Sequence, residues 1–134
     1  MLDNFKFHHI GIAVHDIDKT AGQYIDAGFV KTPTIYDPVQ NVNICFLNKE
    51  GHPQIELLAP VDDKSPVTQT LQKNGVTPYH FCYTVENIDE AVASLRKMRF
   101  LPVIRPVEAV ALENHRICFL YNKDMGLIEL IEGL

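Results

Sequence analysis

Two short stretches of the chain open with histidine and then alternate between two kinds of position. In His8–Val14, the large residues Ile10, Ile12 and Val14 share one parity, and His9, Gly11 and Ala13 share the other. In Tyr79–Val85 the second role falls to His80, Cys82 and Thr84. Successive side chains of a strand point to opposite faces, so each stretch predicts a strand with two unlike sides. The bulky side suits packing against a helix. The small side leaves room above a bound ligand.

Helical patterns follow both strands. Asp16 and Asn87 are placed to cap them, and Asn87 with Glu90 makes a capping box. Gly28 ends the first helix. Further strands are expected near Val30–Tyr36, Val42–Asn48 and Gln54–Leu58, then near Leu101–Pro106, Arg116–Tyr121 and Leu127–Glu132. Ser65 as a cap with Pro66 at the first helical position predicts one more short helix before Gly75.

The order of elements repeats because the sequence repeats. His9-Ile-Gly-Ile-Ala-Val-His-Asp-Ile-Asp18 matches His80-Phe-Cys-Tyr-Thr-Val-Glu-Asn-Ile-Asp89 at an offset of 71 residues. Ile44-Cys-Phe-Leu47 returns as Ile117-Cys-Phe-Leu120, and Ile55-Glu-Leu-Leu58 as Ile128-Glu-Leu-Ile131, both at an offset of 73. The expected fold class is therefore α+β: two tandem βαβββ modules forming a curved mixed sheet around a metal-binding cleft. One domain spans 1–134, built from halves of about 5–60 and 77–134 with a linker at 61–76.

The repeat turns four scattered residues into a constellation. His9 corresponds to His80, and Glu56 to Glu129. A pseudo-twofold arrangement of the halves would bring all four side chains together. Two neutral imidazoles and two carboxylates suit one divalent transition ion, a set that does not select among nickel, cobalt, zinc, manganese and iron. Both glutamates lie among Ile and Leu, where an uncompensated carboxylate would be costly, and a cation would resolve that cost. His8, His15, His52 and His115 lack repeat partners and read as ordinary polar residues. Cys45 and Cys118 match between halves, but their aliphatic neighbours make them core residues.

Composition narrows the class. Hydrophobic residues make up 46% and charged residues 22% of 134, which fits a foldable globular chain and excludes a disordered one. A chain of this size can fold without a structural metal, so an ion here is expected to be functional. The net charge of −5 argues against a nucleic-acid partner. No apolar run reaches the length of a membrane span and the start has no signal-peptide pattern, so a cytoplasmic protein without a membrane partner is expected. Three cysteines without a CxxC pair fit buried thiols in a reducing compartment.

The motifs His8-His9-Ile-Gly-Ile-Ala-Val, Ile55-Glu-Leu-Leu-Ala-Pro60, Ser65-Pro66, Tyr79-His80-Phe and Leu127-Ile-Glu-Leu130 resemble the vicinal-oxygen-chelate superfamily. The resemblance covers essentially the whole chain. It implies paired βαβββ modules around a metal held at His9, Glu56, His80 and Glu129, and a homodimer. Extradiol dioxygenases and fosfomycin enzymes lack a ligand at the place of Glu56, and bleomycin-binding members lack the metal residues. Two activities remain with one shared chemistry, in which a metal polarises a carbonyl and a carboxylate moves the neighbouring proton.

The first is glyoxalase I (lactoylglutathione lyase), which converts a 2-oxoaldehyde–thiol hemithioacetal into a 2-hydroxyacyl thioester. The alternative is methylmalonyl-CoA epimerase, with a non-catalytic small-molecule-binding member as a third reading. Gln40-Asn41-Val42, Ala59-Pro60 and Ser65-Pro66 resemble the epimerases, which place an acidic residue just before that Gln; here Pro38 and Val39 stand there, with Asp37 the nearest acid. Departures from glyoxalase I fall at Ala13, in place of an arginine, and at Pro60, in place of an asparagine. The stretch 65–134, with Pro-Tyr-His-Phe-Cys-Tyr and the Ile-Glu-Leu ending, puts glyoxalase I ahead. Glu129 is the expected proton acceptor and Glu56 its helper. For a CoA thioester, Lys97, Arg99, Arg105 and Arg116 are candidate phosphate contacts.

Overall fold

The computed structural model describes residues 4–134. They form nine β-strands and three α-helices, an α+β chain in which β1 (Lys6–Ala13), α1 (Ile17–Asp26), β2 (Val30–Lys31), β3 (Ile35–Asp37), β4 (Val42–Asn48) and β5 (Ile55–Pro60) come first. Then follow α2 (Pro66–Asn74), β6 (Thr77–Val85), α3 (Ile88–Lys97), β7 (Leu101–Glu108), β8 (Arg116–Asn122) and β9 (Gly126–Glu132). Two compact units result: His9–Tyr79, and His80–Leu134 together with the N-terminal stretch that ends at His8.

Within His9–Tyr79 the strand order is β2-β4-β5-β1, with β3 also on β4. β1 runs parallel to β5, and β4 is antiparallel to both β5 and its other neighbours. Helix α1 starts where Asp16 accepts a hydrogen bond from the Lys19 N–H at 3.0 Å, and it gives way at Ala27 to Gly28, whose φ of +99° suits only glycine well. Its inner face joins Ile17 and Ala21 to Val14, Cys45, Leu47 and Leu57, with Ile12 packed alongside. The bulky parity of β1 thus meets the helix, as the alternation predicts.

The expected strand Val30–Tyr36 is broken into β2 and β3. Pro33, which has no N–H to give to a ladder, sits at the break. Thr32 repairs the edge from both sides: its N–H donates to the Phe46 carbonyl and its hydroxyl accepts from the Phe46 N–H at 2.8 Å. Helix α2 lies where Ser65-Pro66 places it, but Ser65 does not cap it with its side chain. Its hydroxyl instead accepts from the Val61 N–H at 3.1 Å and donates to the Asn41 carbonyl, tying the β3–β4 turn to the segment after β5.

The unit containing His80–Leu134 repeats this plan in the order β6-β9-β8-β7, with β6 parallel to β9. Asn87 caps α3 by accepting from the Glu90 N–H at 3.0 Å. Ile88 and Leu95 on α3 pack with Phe100, Cys118, Leu120, Ile128 and Leu130. Arg116 closes the end of this unit, its guanidinium donating to Glu132 Oε2 at 3.0 Å and to Asp89 at 3.1 Å. The same Glu132 oxygen also accepts from the Ile88 N–H at 2.8 Å. Asn41 and Asn114 stand at corresponding places of the repeat and both adopt left-handed backbone, at φ of 54° and 64°. Asparagine tolerates that region better than most residues.

Candidate metal centre

Each unit builds one half of the predicted ligand set in the same way. On β1, Gly11 is level with Glu56 of the parallel strand β5, and His9 lies two positions earlier on the same face. His9 Nε2 and Glu56 Oε1 are 3.3 Å apart, with both side chains buried. In the other unit, Cys82 on β6 is level with Glu129 on β9, and His80 again lies two positions earlier. There His80 Nε2 and Glu129 Oε1 are 3.0 Å apart, and both side chains are buried.

The small parity of the two opening strands is the buried one. His9, Gly11 and Ala13 are buried on β1, and His80, Cys82 and Thr84 on β6. Burial of a carboxylate between Leu57 and Ile55, or between Ile128 and Leu130, is tolerable only with donors or a cation close by. In each unit an imidazole nitrogen lies 3.3 Å or 3.0 Å from a carboxylate oxygen. Imidazole nitrogens and carboxylate oxygens are also the donor types that hold a divalent transition ion, so the residues present fit the implied metal.

Two aromatic residues complete these pairs, and sequence reasoning does not single them out. Phe46 on β4 is level with Glu56 and meets the His9 ring edge-on, at 5.5 Å between centroids and 75° between planes. Phe119 on β8 is level with Glu129 and meets His80 in the same way, at 5.2 Å and 88°. The signal is present in the repeat, as the third residue of Ile44-Cys-Phe-Leu47 and Ile117-Cys-Phe-Leu120.

The other sequence candidates fall outside these pairs. His15 and His52 are exposed, with the His52 ring against Phe29, and His115 Nδ1 lies 2.9 Å from the Glu132 carbonyl. Asp37 is buried and held: one carboxylate oxygen accepts from the Val39 N–H and the other from the Gln40 amide, both at 2.9 Å. These two contacts hold the carboxylate within its own turn. Arg116 is engaged by Asp89 and Glu132 and is not a spare cation for a phosphate, whereas Lys97, Arg99 and Arg105 are exposed. Burial pushes the Cys45 thiol up and the Cys118 thiol up to about 12, in keeping with core residues. Among the described residues, no helix is long and apolar enough to cross a membrane.

Two units with the same strand plan, each with a buried His–Glu pair at one register, define the class. Residues 8–119 match the Glyoxalase/Bleomycin resistance protein/Dioxygenase superfamily, and the chain belongs to it. Over 129 residues the chain is 33% identical to the mitochondrial methylmalonyl-CoA epimerase of Homo sapiens, covering 93% of this chain and 72% of that one. The crystal structure of methylmalonyl-CoA epimerase from Mycobacterium tuberculosis superposes with a TM-score of 0.84 at 30% identity, over 96% of this chain and 88% of that one. A variant of the Streptomyces coelicolor epimerase in complex with 2-nitronate-propionyl-CoA gives 0.82 at 29% identity, over 96% of both chains. These relatives reverse the order of the two activities weighed from the sequence: epimerase chemistry moves ahead of glyoxalase I. The Ile128-Glu129-Leu130 ending that favoured glyoxalase I lies in β9 of a chain whose relatives are epimerases, so it does not separate the two.

Proposed function

We propose that the protein is an epimerase of CoA thioesters of the methylmalonyl type, working with one divalent metal held by His9, Glu56, His80 and Glu129. The observation that carries this reading is the pair of buried His–Glu contacts, at 3.3 Å and 3.0 Å, in a chain related along most of its length to methylmalonyl-CoA epimerases. When bound, a divalent ion supplies positive charge to offset the negative charge that grows on a thioester oxygen as the adjacent carbon loses its proton.

The remaining chemistry belongs to side chains. Glu129 takes the proton from the carbon between the thioester and the free carboxylate, and the electrons of the broken C–H bond move into the thioester carbonyl. A water beside Glu56 returns a proton to that carbon, and delivery from a different group than the acceptor allows the configuration to invert. The proton held by Glu129 then neutralises the hydroxide left behind, which restores both groups. Burial of both His–Glu pairs limits water near them, which strengthens each electrostatic contact. The substrate class is a CoA thioester and the partner a second copy of the chain.

The test is incubation of a single methylmalonyl-CoA epimer in D2O with metal-loaded protein, followed by chiral analysis and mass spectrometry. Conversion to the other epimer with gain of one deuteron is expected. Metal-loaded protein that neither exchanges nor epimerises this thioester contradicts the reading.

A further inference from the structure

We infer that Phe46 and Phe119 are positioning residues that set the tilt of the His9 and His80 rings, so that each Nε2 faces its glutamate. Three observations converge. Each phenylalanine is level with the glutamate of its own unit across an antiparallel pair, Phe46 with Glu56 and Phe119 with Glu129. Each meets the histidine ring nearly perpendicular, at 75° and 88°. The arrangement occurs twice, in units whose surroundings differ.

An imidazole on a strand has two torsions to settle, and the small residues of its own face cannot settle them. On the same face His9 is preceded by the exposed Phe7 and followed by Gly11 and Ala13, and His80 is preceded by the exposed Pro78 and followed by Cys82 and Thr84, so the following side of each ring meets little side-chain bulk. An aromatic edge or face at about 5 Å restrains ring rotation by packing and by the ring quadrupole. With the ring restrained, the Nε2 atom points at the carboxylate. Hydrogen-bonded partners that orient a metal-binding imidazole change affinity by about 10–100-fold when lost, and a packing partner that orients the ring acts in the same direction.

The two rings are not equally enclosed, and that difference makes the idea testable. Phe119 is sealed among Cys82, Ala109, Ile117 and Ile131, with Ile104 paired to it on β7. Phe46 remains partly exposed, beside the broken β2–β3 edge. Loss of the Phe119 ring therefore disturbs a core, whereas loss of the Phe46 ring leaves packing largely intact.

The experiment compares wild type, Phe46→Leu and Phe119→Leu as full-length chains. Leucine keeps an apolar side chain and removes the aromatic ring. Long-range 1H–15N spectra of the metal-free proteins read the tautomer and mobility of the two rings. Titration with cobalt(II) under a competing chelator then reads affinity, and thermal melts report folding. One sharp imidazole set for His9 and for His80 is expected in wild type. Broadening or splitting of the His9 set is expected in Phe46→Leu and of the His80 set in Phe119→Leu, with cobalt affinity falling about tenfold or more.

Unchanged imidazole signals in a folded Phe46→Leu protein overturn the inference, even where Phe119→Leu fails to fold. The cobalt arm rests on the metal reading above, and the metal-free spectra do not. Wild type that binds no cobalt while its variants still disturb their imidazoles refutes the metal and leaves the positioning role intact.

Discussion

His80 Nε2 stands 3.0 Å from Glu129 Oε1, and the register that produces this contact is repeated at His9 and Glu56. A strand-to-strand parallel pairing in which the histidine precedes the glutamate level by two residues does the same work twice. The contact is therefore a property of the βαβββ plan and of four side chains placed on it. Activity depends on what the carboxylates do there, and stability depends on the faces behind them.

Glu129→Gln keeps the shape of the side chain and removes its ability to accept a proton at neutral pH. Turnover of methylmalonyl-CoA is expected to fall by at least about 100-fold, the lower end of what a positioned acid–base group supplies. Circular dichroism and melting should stay close to wild type. A Gln variant with wild-type turnover rules out Glu129 as the proton acceptor.

Much of this arrangement is legible in the amino-acid sequence, and the reason is the repeat. The parity of His9, Gly11 and Ala13 against Ile10, Ile12 and Val14 is decisive because a strand has only two faces. Three matched blocks then pair the ligands. The break at Pro33 is less visible, since the run around Thr32-Pro33-Thr34 resembles one strand until the missing N–H is placed against β4. Ser65 has the local signature of a cap, and local sequence cannot show that its hydroxyl is taken by Asn41, a residue far away along the chain. Phe46 and Phe119 are hidden for a similar reason: a phenylalanine between Cys and Leu reads as core until register sets it against a histidine. The choice between two activities is not legible there, because the Ile128-Glu129-Leu130 stretch that favoured glyoxalase I does not separate them.

Backbone conformation at the repeated asparagines gives a stability test. Asn114 at φ of 64° should accept glycine with little change, because glycine enters the left-handed region freely. A β-branched residue such as valine at 114 should cost about 1–2 kcal/mol, the penalty of that region for side chains with a bulky Cβ. Chemical denaturation of the Gly and Val variants compares them directly, and equal midpoints contradict the assignment.

Acid stability follows from the Arg116–Glu132 contact. Hydrogen bonds from the Arg116 guanidinium, with that of the Ile88 N–H, hold the Glu132 carboxyl below its ordinary value of 4.5. A carboxylate whose folded value is depressed adds stability that is fully present above the unfolded value and is lost as pH falls through the folded one. Wild type should therefore lose stability relative to Glu132→Gln as pH drops below about 4.5, and the gap between them should be constant at neutral pH. Both groups are partly exposed, so salt should shrink the gap. Melting curves across acidic pH that run parallel for the two proteins argue against this contact.

Core burial gives a third stability test. Leu95 on α3 is fully buried against Phe100, Leu120 and Leu130, so Leu95→Ala should lower stability by about 2–5 kcal/mol. The Cys118 thiol, pushed up to about 12 by burial in the same cluster, should resist a thiol reagent at neutral pH in the native protein and react in denaturant. Rapid native labelling of Cys118 by mass spectrometry contradicts the enclosure of this core.

The metal site is tested most simply by the metal content of purified, reconstituted protein beside His9→Ala and His80→Ala. Elemental analysis is expected to find about one divalent ion per wild-type chain. Either substitution should remove it, since each deletes one of four donors, while folding is expected to persist because a chain of this size can bury enough surface to fold without an ion. One ion per chain retained in both variants would place the metal elsewhere. No ion in any preparation would contradict the account at its root and make the two His–Glu pairs structural contacts.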